Sequence, residues 1–265
     1  MSESIRAVDR ALDVLSCFSH KTPQLTMTQI ADQIGINKST VHRLLATLEG
    51  KRFVERDPLT GMYRLGIRSL QMAYLTLEYN DLRRLAAPFM QKLCQEHREN
   101  VNLAVLDGAD VIYIDIVESP QRVKLAAAIG QRLPAFCTAS GKAILAYMPE
   151  DKILRILELG MPRYTNNTIL SPAAYFENMR QTHGRGFAIS DQEYEDGINA
   201  VAAPIFIGGD QPVGSISIAG PSFRFSRERM MEIGGMIVST AQEITQELQL
   251  VPHTIYQASE SLRGS

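Results

Sequence analysis

The 265-residue sequence predicts an α+β protein in two parts: a small helical unit closed by a strand-turn-strand wing, then a larger domain around an antiparallel sheet. Three observations carry this. Apolar residues before Gly50 recur at helical spacing, and two short strand-like runs bracket a Pro/Gly turn just after it. Beyond Asn100 the period changes from helical to alternating.

In order along the chain, Ser4 to about Phe18 places Ile5, Val8, Leu12 and Leu15 at helical steps, and the loop His20–Leu25 contains Pro23. A short helix follows over Thr26–Ile34, with Ile30, Ala31 and Ile34 on one stripe. Gly35-Ile36-Asn37 breaks it, Gly supplying the positive φ of a tight turn and Asn37 a cap for the next helix. From Lys38 to about Glu49, Val41, Leu44, Leu45 and Leu48 form the buried stripe. Lys38, Ser39, Thr40, His42, Arg43 and Thr47 form the other face, short or forked groups able to reach base edges and phosphates in a major groove. Strands over Phe53–Arg56 and Met62–Leu65, joined by Asp57-Pro-Leu-Thr-Gly61, complete a winged helix-turn-helix. Such a unit can also simply pack against protein. Against that stand the absence of Asp or Glu from the helix face before Glu49 and the wing cations Lys51, Arg52, Arg56 and Arg64, which suit a phosphate backbone.

Gly66–Tyr79 is too apolar for a solvated linker (Ile67, Leu70, Ala73, Tyr74, Leu77). It reads as a connecting helix that packs on a partner chain in a homodimer, with intrachain packing the alternative. A second helical run covers Asp81–Glu99. Strand-like runs then occupy Val101–Leu106, Val111–Glu118 and Val123–Ala128. Helices are expected near Ser140–Met148, Asp151–Leu159 and Ser171–His183. Strands over Gly186–Asp191, Ile198–Ile207 and Val213–Ala219 and a closing helix from Ser226 to Leu248 finish the domain.

The totals agree with two functions on one chain. Net charge is −2, but residues 1–66 hold nine Lys/Arg against seven Asp/Glu, while the remainder holds 18 against 22. Three scattered cysteines, no secretory signal and no long apolar run are the pattern of a reduced, cytoplasmic protein with no membrane segment. No metal site is expected, because the five histidines do not pair with the cysteines at ligand spacing. Nothing in the sequence calls for a cofactor.

In the second domain, Thr138-Ala-Ser-Gly141 opens a helix whose free N–H groups and Ser140 hydroxyl suit a small anion; simple capping is the alternative. Ser190–Gly197 gathers four carboxylates, open to acid/base chemistry, metal ligation or a solvated loop, the loop being favoured because no nearby His or Arg holds them. Ser215 and Ser217 share one strand face. Cys137 precedes the helix, but with no His nearby in sequence it reads as a buried, inert thiol. An enzyme built on Asp191, Glu193 and Ser140 would lack a Ser-His pairing, a phosphate loop and a metal set.

Taken together, these segments resemble the IclR-type bacterial transcriptional regulators over nearly the whole chain. The resemblance rests on Ile5-Arg-Ala-Val-Asp-Arg-Ala-Leu-Asp-Val-Leu15, Lys38-Ser-Thr-Val-His-Arg-Leu-Leu-Ala-Thr-Leu48, Arg64-Leu-Gly66 and Thr138-Ala-Ser-Gly-Lys-Ala-Ile-Leu-Ala146. It extends to Asp191-x-Glu193-x-x-x-Gly197, Val201-Ala-Ala-Pro204 and Ile216-Ser-Ile-Ala-Gly-Pro221. It implies a winged helix-turn-helix over 1–66, a linker helix over 67–80, a GAF-like effector-binding domain over 81–250 and a flexible tail over 251–265. It further implies a homodimer or tetramer on a palindromic double-stranded DNA operator, and a small organic acid effector from a catabolic pathway. DNA contacts would come from Lys38, Ser39, Thr40, His42, Arg43, Thr47, Arg52, Arg56 and Arg64. The effector would lie against Leu125, Ala139, Ser140, Asp191, Glu193, Ile198, Ala200, Ser215 and Ser217, with the N–H groups of Ala139 and Ser140 on its carboxylate. Many members carry Cys in place of Ala200 and Ser in place of Ala219, so the cavity here is expected to be wider and more apolar. A second reading keeps DNA binding and gives the C-terminal domain oligomerisation alone.

Overall fold

A computed structural model describes residues 5–19, 21–78 and 80–250. The expected tail over 251–265 lies outside them, as do Ser4, His20 and Tyr79. The chain divides into two units, Met1–Asn80 and Asp81–Ser265.

In the first unit, α1 (Arg6–Ser16), α2 (Met27–Ile34) and α3 (Lys38–Gly50) surround Val14, Leu25, Ile30, Ala31, Val41, Leu45 and Leu48. α2 starts in a reciprocal cap: Gln29 N–H donates to the Thr26 hydroxyl and Thr26 N–H donates to the Gln29 side chain. It stops at Gly35, whose φ of 65° is left-handed. Asn37 holds the N-cap position of α3 without a side-chain cap bond; its main-chain carbonyl accepts from Thr40 and Val41 instead. The apolar stripe of α1 is only partly buried: Ile5, Val8 and Leu12 are 70%, 51% and 56% exposed, whereas Leu15 packs with Ala11 and Phe18 against buried Val14. A second stripe, Ala11, Val14 and Phe18, faces this core.

Strands β1 (Val54–Arg56) and β2 (Tyr63–Leu65) pair antiparallel as the wing. Their loop is shaped by Asp57, whose carboxylate accepts the N–H groups of Leu59 and Thr60, and these bonds hold its pKa below the ordinary value. Gly66 then passes so close to Arg52 that a Cβ would stand 2.4 Å from the Arg52 carbonyl oxygen. That approach lets α4 (Ile67–Glu78) begin on the wing, with Arg68 N–H on the Arg52 carbonyl and the Ser69 hydroxyl on the Phe53 carbonyl.

In the second unit, α5 (Asp81–His97) leads into β3 (Asn100–Asp107), β4 (Asp110–Val117) and a short β5 (Arg132–Pro134). After α6 (Ala139–Leu145), α7 (Glu150–Glu158) and α8 (Pro172–Arg185) come β6 (Ala188–Asp191), β7 (Ile198–Phe206), β8 (Pro212–Pro221) and α9 (Arg227–Leu250). The strands form one antiparallel sheet in the order β5-β4-β3-β8-β7-β6. Strand alternation separates its faces. Val101, Leu103, Val201, Ala203, Ile216 and Ile218 pack with α5 and α9. On the opposite face, Asn102 pairs with Ser217 and Ala104 with Ser215 across β3 and β8, beneath α6.

One expected strand is absent. Val123–Ala128 runs without ladder pairing, and the outer edge of β4 is laddered only at Asp110–Ile112, by β5. No helix among the described residues is long and apolar enough to cross a membrane.

Every residue of α6 is buried, including Lys142 at 0% exposure. Its amine forms an ion pair with Glu193, itself 6% exposed, in the loop after β6. Burial pushes the Glu193 carboxyl above its ordinary pKa, and Lys142 opposes that rise. Asp191, two residues earlier, meets Arg227 at 3.3 Å. Two of the loop's four carboxylates are thus held by cations distant in sequence, while Glu195 and Asp196 are exposed. Removing one partner of the buried pair, as in Lys142→Met or Glu193→Gln, should lower unfolding stability by about 3–5 kcal/mol, since it strands a buried charge. The double variant Lys142→Met/Glu193→Met should recover most of the loss. Urea unfolding checks this, and equal losses in single and double variants would contradict the pairing argument.

Candidate functional site

Two places hold the chemistry. The first is the solvent face of α3. Val41, Leu45 and Leu48 are buried, which turns Lys38, Ser39, His42, Arg43 and Thr47 outward and leaves Thr40 half-buried. The Thr47 hydroxyl donates to the Arg43 carbonyl at 2.9 Å, so it meets an outside group as an acceptor. The wing cations are partly engaged. Arg64 forms an exposed pair with Glu55 across the strands at 2.5 Å. Arg56 lies over the Tyr63 ring and donates to the Gly61 carbonyl at 3.3 Å. Arg52, at φ 62°, is exposed while its carbonyl receives α4. Exposed pairs of this kind are weak and yield readily to a phosphate. Leu59, 95% exposed at the wing tip, drew no attention in the sequence.

The second place is a cavity of about 330 Å³ between the sheet and α6. Of the residues expected there, Leu125, Ala139, Ser140, Ile198, Ala200 and Ser217 line it. Asp191, Glu193 and Ser215 stand outside the lining: Asp191 and Glu193 are turned to Arg227 and Lys142, and Ser215 is buried deeper along β8. Ala200 and Ala219 both line the cavity and are direct cross-strand partners, so two small apolar side chains border the same spot.

Sequence reasoning missed Tyr113, Lys124, Gln131, Ser190, Tyr194 and Glu195, and gave Thr138 only a capping role. Tyr113 and Tyr194 could have been found as aromatics beside the turns they border; Gln131 and Ser190 carry no sequence signal. Burial raises the phenol pKa of both tyrosines, so each meets a ligand as a neutral hydroxyl. The Ser140 hydroxyl donates to Ser217 at 3.1 Å, joining α6 to the sheet at the cavity wall. The Thr138 hydroxyl accepts from Gly141 N–H at 3.2 Å, and its carbonyl accepts from Lys142, so the helical ladder starts beyond the N–H groups of Ala139 and Ser140. Cys137 has no exposure, and burial pushes its thiol up to about 12, opposite to what a reactive thiol needs.

Both units match models of one known family. The model of the IclR helix-turn-helix domain matches residues 7–58, and that of the bacterial transcriptional regulator IclR C-terminal domain matches residues 74–246. The transcriptional repressor IclR of Escherichia coli K12 is 32% identical over 244 residues, covering 91% of this chain and 89% of the relative. An IclR family transcriptional regulator from Brucella abortus is 30% identical with a TM-score of 0.80, covering 94% of each chain. An IclR homolog from Microbacterium hydrocarbonoxydans, 23% identical with a TM-score of 0.78 over 91% of this chain and 99% of that one, shares the fold. Matched by both family models over most of its length and 32% identical to a transcriptional repressor of that name, the chain belongs to the IclR family of DNA-binding transcriptional regulators.

Proposed function

We propose that this regulator is ligand-responsive: it binds a palindromic operator as a dimer or tetramer and senses a small carboxylic or aromatic acid in its second unit. The cavity carries the reading. Pockets of about 300–1,000 Å³ with apolar walls and a few placed polar groups are the usual form of small-molecule sites. This one offers the rings of Tyr113 and Tyr194, the aliphatic walls of Leu125, Leu133 and Ile198, and the hydroxyls of Thr138, Ser140 and Ser217. At about 30 Å³ per water-sized group, the volume suits roughly ten non-hydrogen atoms. That is about the size of a monocyclic aromatic acid, and the Microbacterium homolog is a complex with 4-hydroxybenzoate. The N–H groups of Ala139 and Ser140 favour a negatively charged end, while Lys124 in the wall is paired with Glu118.

Homo-oligomerisation is supported by apolar faces that one chain leaves uncovered. Ile5, Val8 and Leu12 of the first stripe, and Ile67, Leu70, Met72, Tyr74 and Leu75 of α4, are each at least half exposed. Two-fold symmetry then matches a palindromic site. The effector acts by binding one arrangement of the dimer better than the other.

Two experiments test these points. On a duplex enriched by in vitro selection, Arg43→Ala should weaken binding by about 1–3 kcal/mol, and Arg64→Ala should lower the slope of log affinity against log salt by about one. Unchanged binding in both variants would remove these faces from the DNA interface. Thermal unfolding against a panel of aliphatic and aromatic carboxylates should show a dose-dependent rise with one class. A flat panel would leave the second unit as an oligomerising module or a sensor of other chemistry.

A further inference from the structure

The stretch Val123–Ala127 joins no ladder among the described residues, yet Lys124, Leu125, Ala126 and Ala127 form part of the cavity wall. Its main chain is tied to the sheet by side chains. Arg224 Nη2 donates to the Val123 carbonyl at 2.6 Å, and Asn100 Nδ2 donates to the Leu125 carbonyl at 3.3 Å. Both donors are themselves fixed. Arg224 forks onto Glu99 at 2.6 and 2.9 Å, and Glu99 is only 2% exposed. Asn100, fully buried, accepts Ser119 N–H on its Oδ1, which turns its nitrogen toward Leu125. Gly220 completes the set: a Cβ there would stand 2.6 Å from a Glu99 carboxylate oxygen. The glycine of the Ile216–Pro221 motif therefore leaves room for the carboxylate that holds Arg224.

From this constellation we infer that Glu99, Asn100 and Arg224 are positioning residues of the effector site, holding residues 123–127 as a detachable wall whose release governs exchange of the cavity's contents. A laddered strand would share several main-chain bonds with its neighbour and open only with the sheet. The main chain of this wall hangs on two side-chain donors, its one further tie among the described residues being the exposed Lys124–Glu118 ion pair, and it faces solvent on its outer side, where Val123 is 58% exposed. It opens at lower cost than the strands around it. The inference rests on the effector reading only for the identity of the occupant.

The test needs no effector. A reporter thiol is placed inside the cavity by Ala200→Cys in a Cys17→Ser background, and its reaction with an aromatic disulfide reagent is timed. Cys94 and Cys137 are 5% and 0% exposed, and burial raises the pKa of both thiols, so they stay silent in the native protein. Arg224→Lys keeps a charge beside Glu99 but has no fork to serve both Glu99 and Val123. Asn100→Ser withdraws the donor from Leu125. Ile244→Val, in the fully buried core of α9, is the control for lost stability alone. Arg224→Lys and Asn100→Ser should each speed labelling roughly tenfold, the scale of one lost charged or buried hydrogen bond, while Ile244→Val does not. Unchanged rates in both, or rates that follow the thermal midpoint in all three, would overturn the inference. Should Arg224→Lys fail to fold, Asn100→Ser decides, since it cuts the other tie. A flat carboxylate panel would defeat the effector reading and leave the labelling result standing.

Discussion

The second unit is arranged around a helix with no solvent face. α6 lies so close to the sheet that its contacts must be small: Ala139 and Ala143 meet Ala188 and Ala202, and a Cβ on Gly141 would fall 2.1 Å from the Ala135 carbonyl oxygen. Such close approach leaves no exit for Lys142, whose charge has to be met inside the protein. Glu193 meets it, and that requirement fixes the loop after β6. The loop is braced from outside as well, by the Thr165 hydroxyl on the Gln192 carbonyl and the Thr168 hydroxyl on the Glu193 carbonyl. Tyr194, Glu195 and Ile198 follow from the same loop and line the cavity. One buried charge therefore bears on where three of the cavity's lining residues stand.

The cavity exists because the two faces of the sheet differ in chemistry. The face under α5 and α9 is filled by branched aliphatic side chains and leaves no room. The face under α6 carries Asn100, Asn102, Ser215 and Ser217 in place of such residues. Buried polar groups cost stability unless paired. Ser217 finds Ser140, and Asn100 finds Ser119 and Leu125, but Asn102 Oδ1 and Ser215 Oγ have no partner within the protein. Beside the close alanine contacts of α6, the small side chains of Ser217, Ala219 and Ala200 leave space uncovered on this face, and that space is the site.

Much of this was legible in the sequence, for reasons that can be named. The helix-turn-helix was readable because α2, Gly35 and α3 are local: capping, a positive φ and a 3.6-residue stripe all act within a few residues. Ser140 and Ser217 were readable because one opens a helix and the other obeys strand alternation. The failures involve partners far away in the chain. Val123–Ala128 has the composition of a strand, but composition does not decide whether a segment finds a ladder partner, and the segment that pairs on the β4 edge is β5. Asp191 and Glu193 were assigned to the effector wall, yet Arg227 and Lys142 draw them elsewhere, and nothing near them in sequence announces either cation. On α1, an apolar stripe was visible, but not that the unit buries only part of it.

Position along the chain gives the wall-holding residues a further meaning. Glu99 and Asn100 directly follow α5, and Arg229 donates to the carbonyl of His97 at its last turn. α5 starts at Asp81, immediately after the boundary between the two units. At 1.5 Å per residue its 17 residues make a rod of about 25 Å from that boundary to the base of the cavity wall. A rod of this kind has few ways to absorb a displacement internally, even with Pro88 removing one of its hydrogen bonds. Glu99 and Asn100, which hold the proposed wall, therefore stand at one end of this element, and its other end follows the boundary between the two units in sequence.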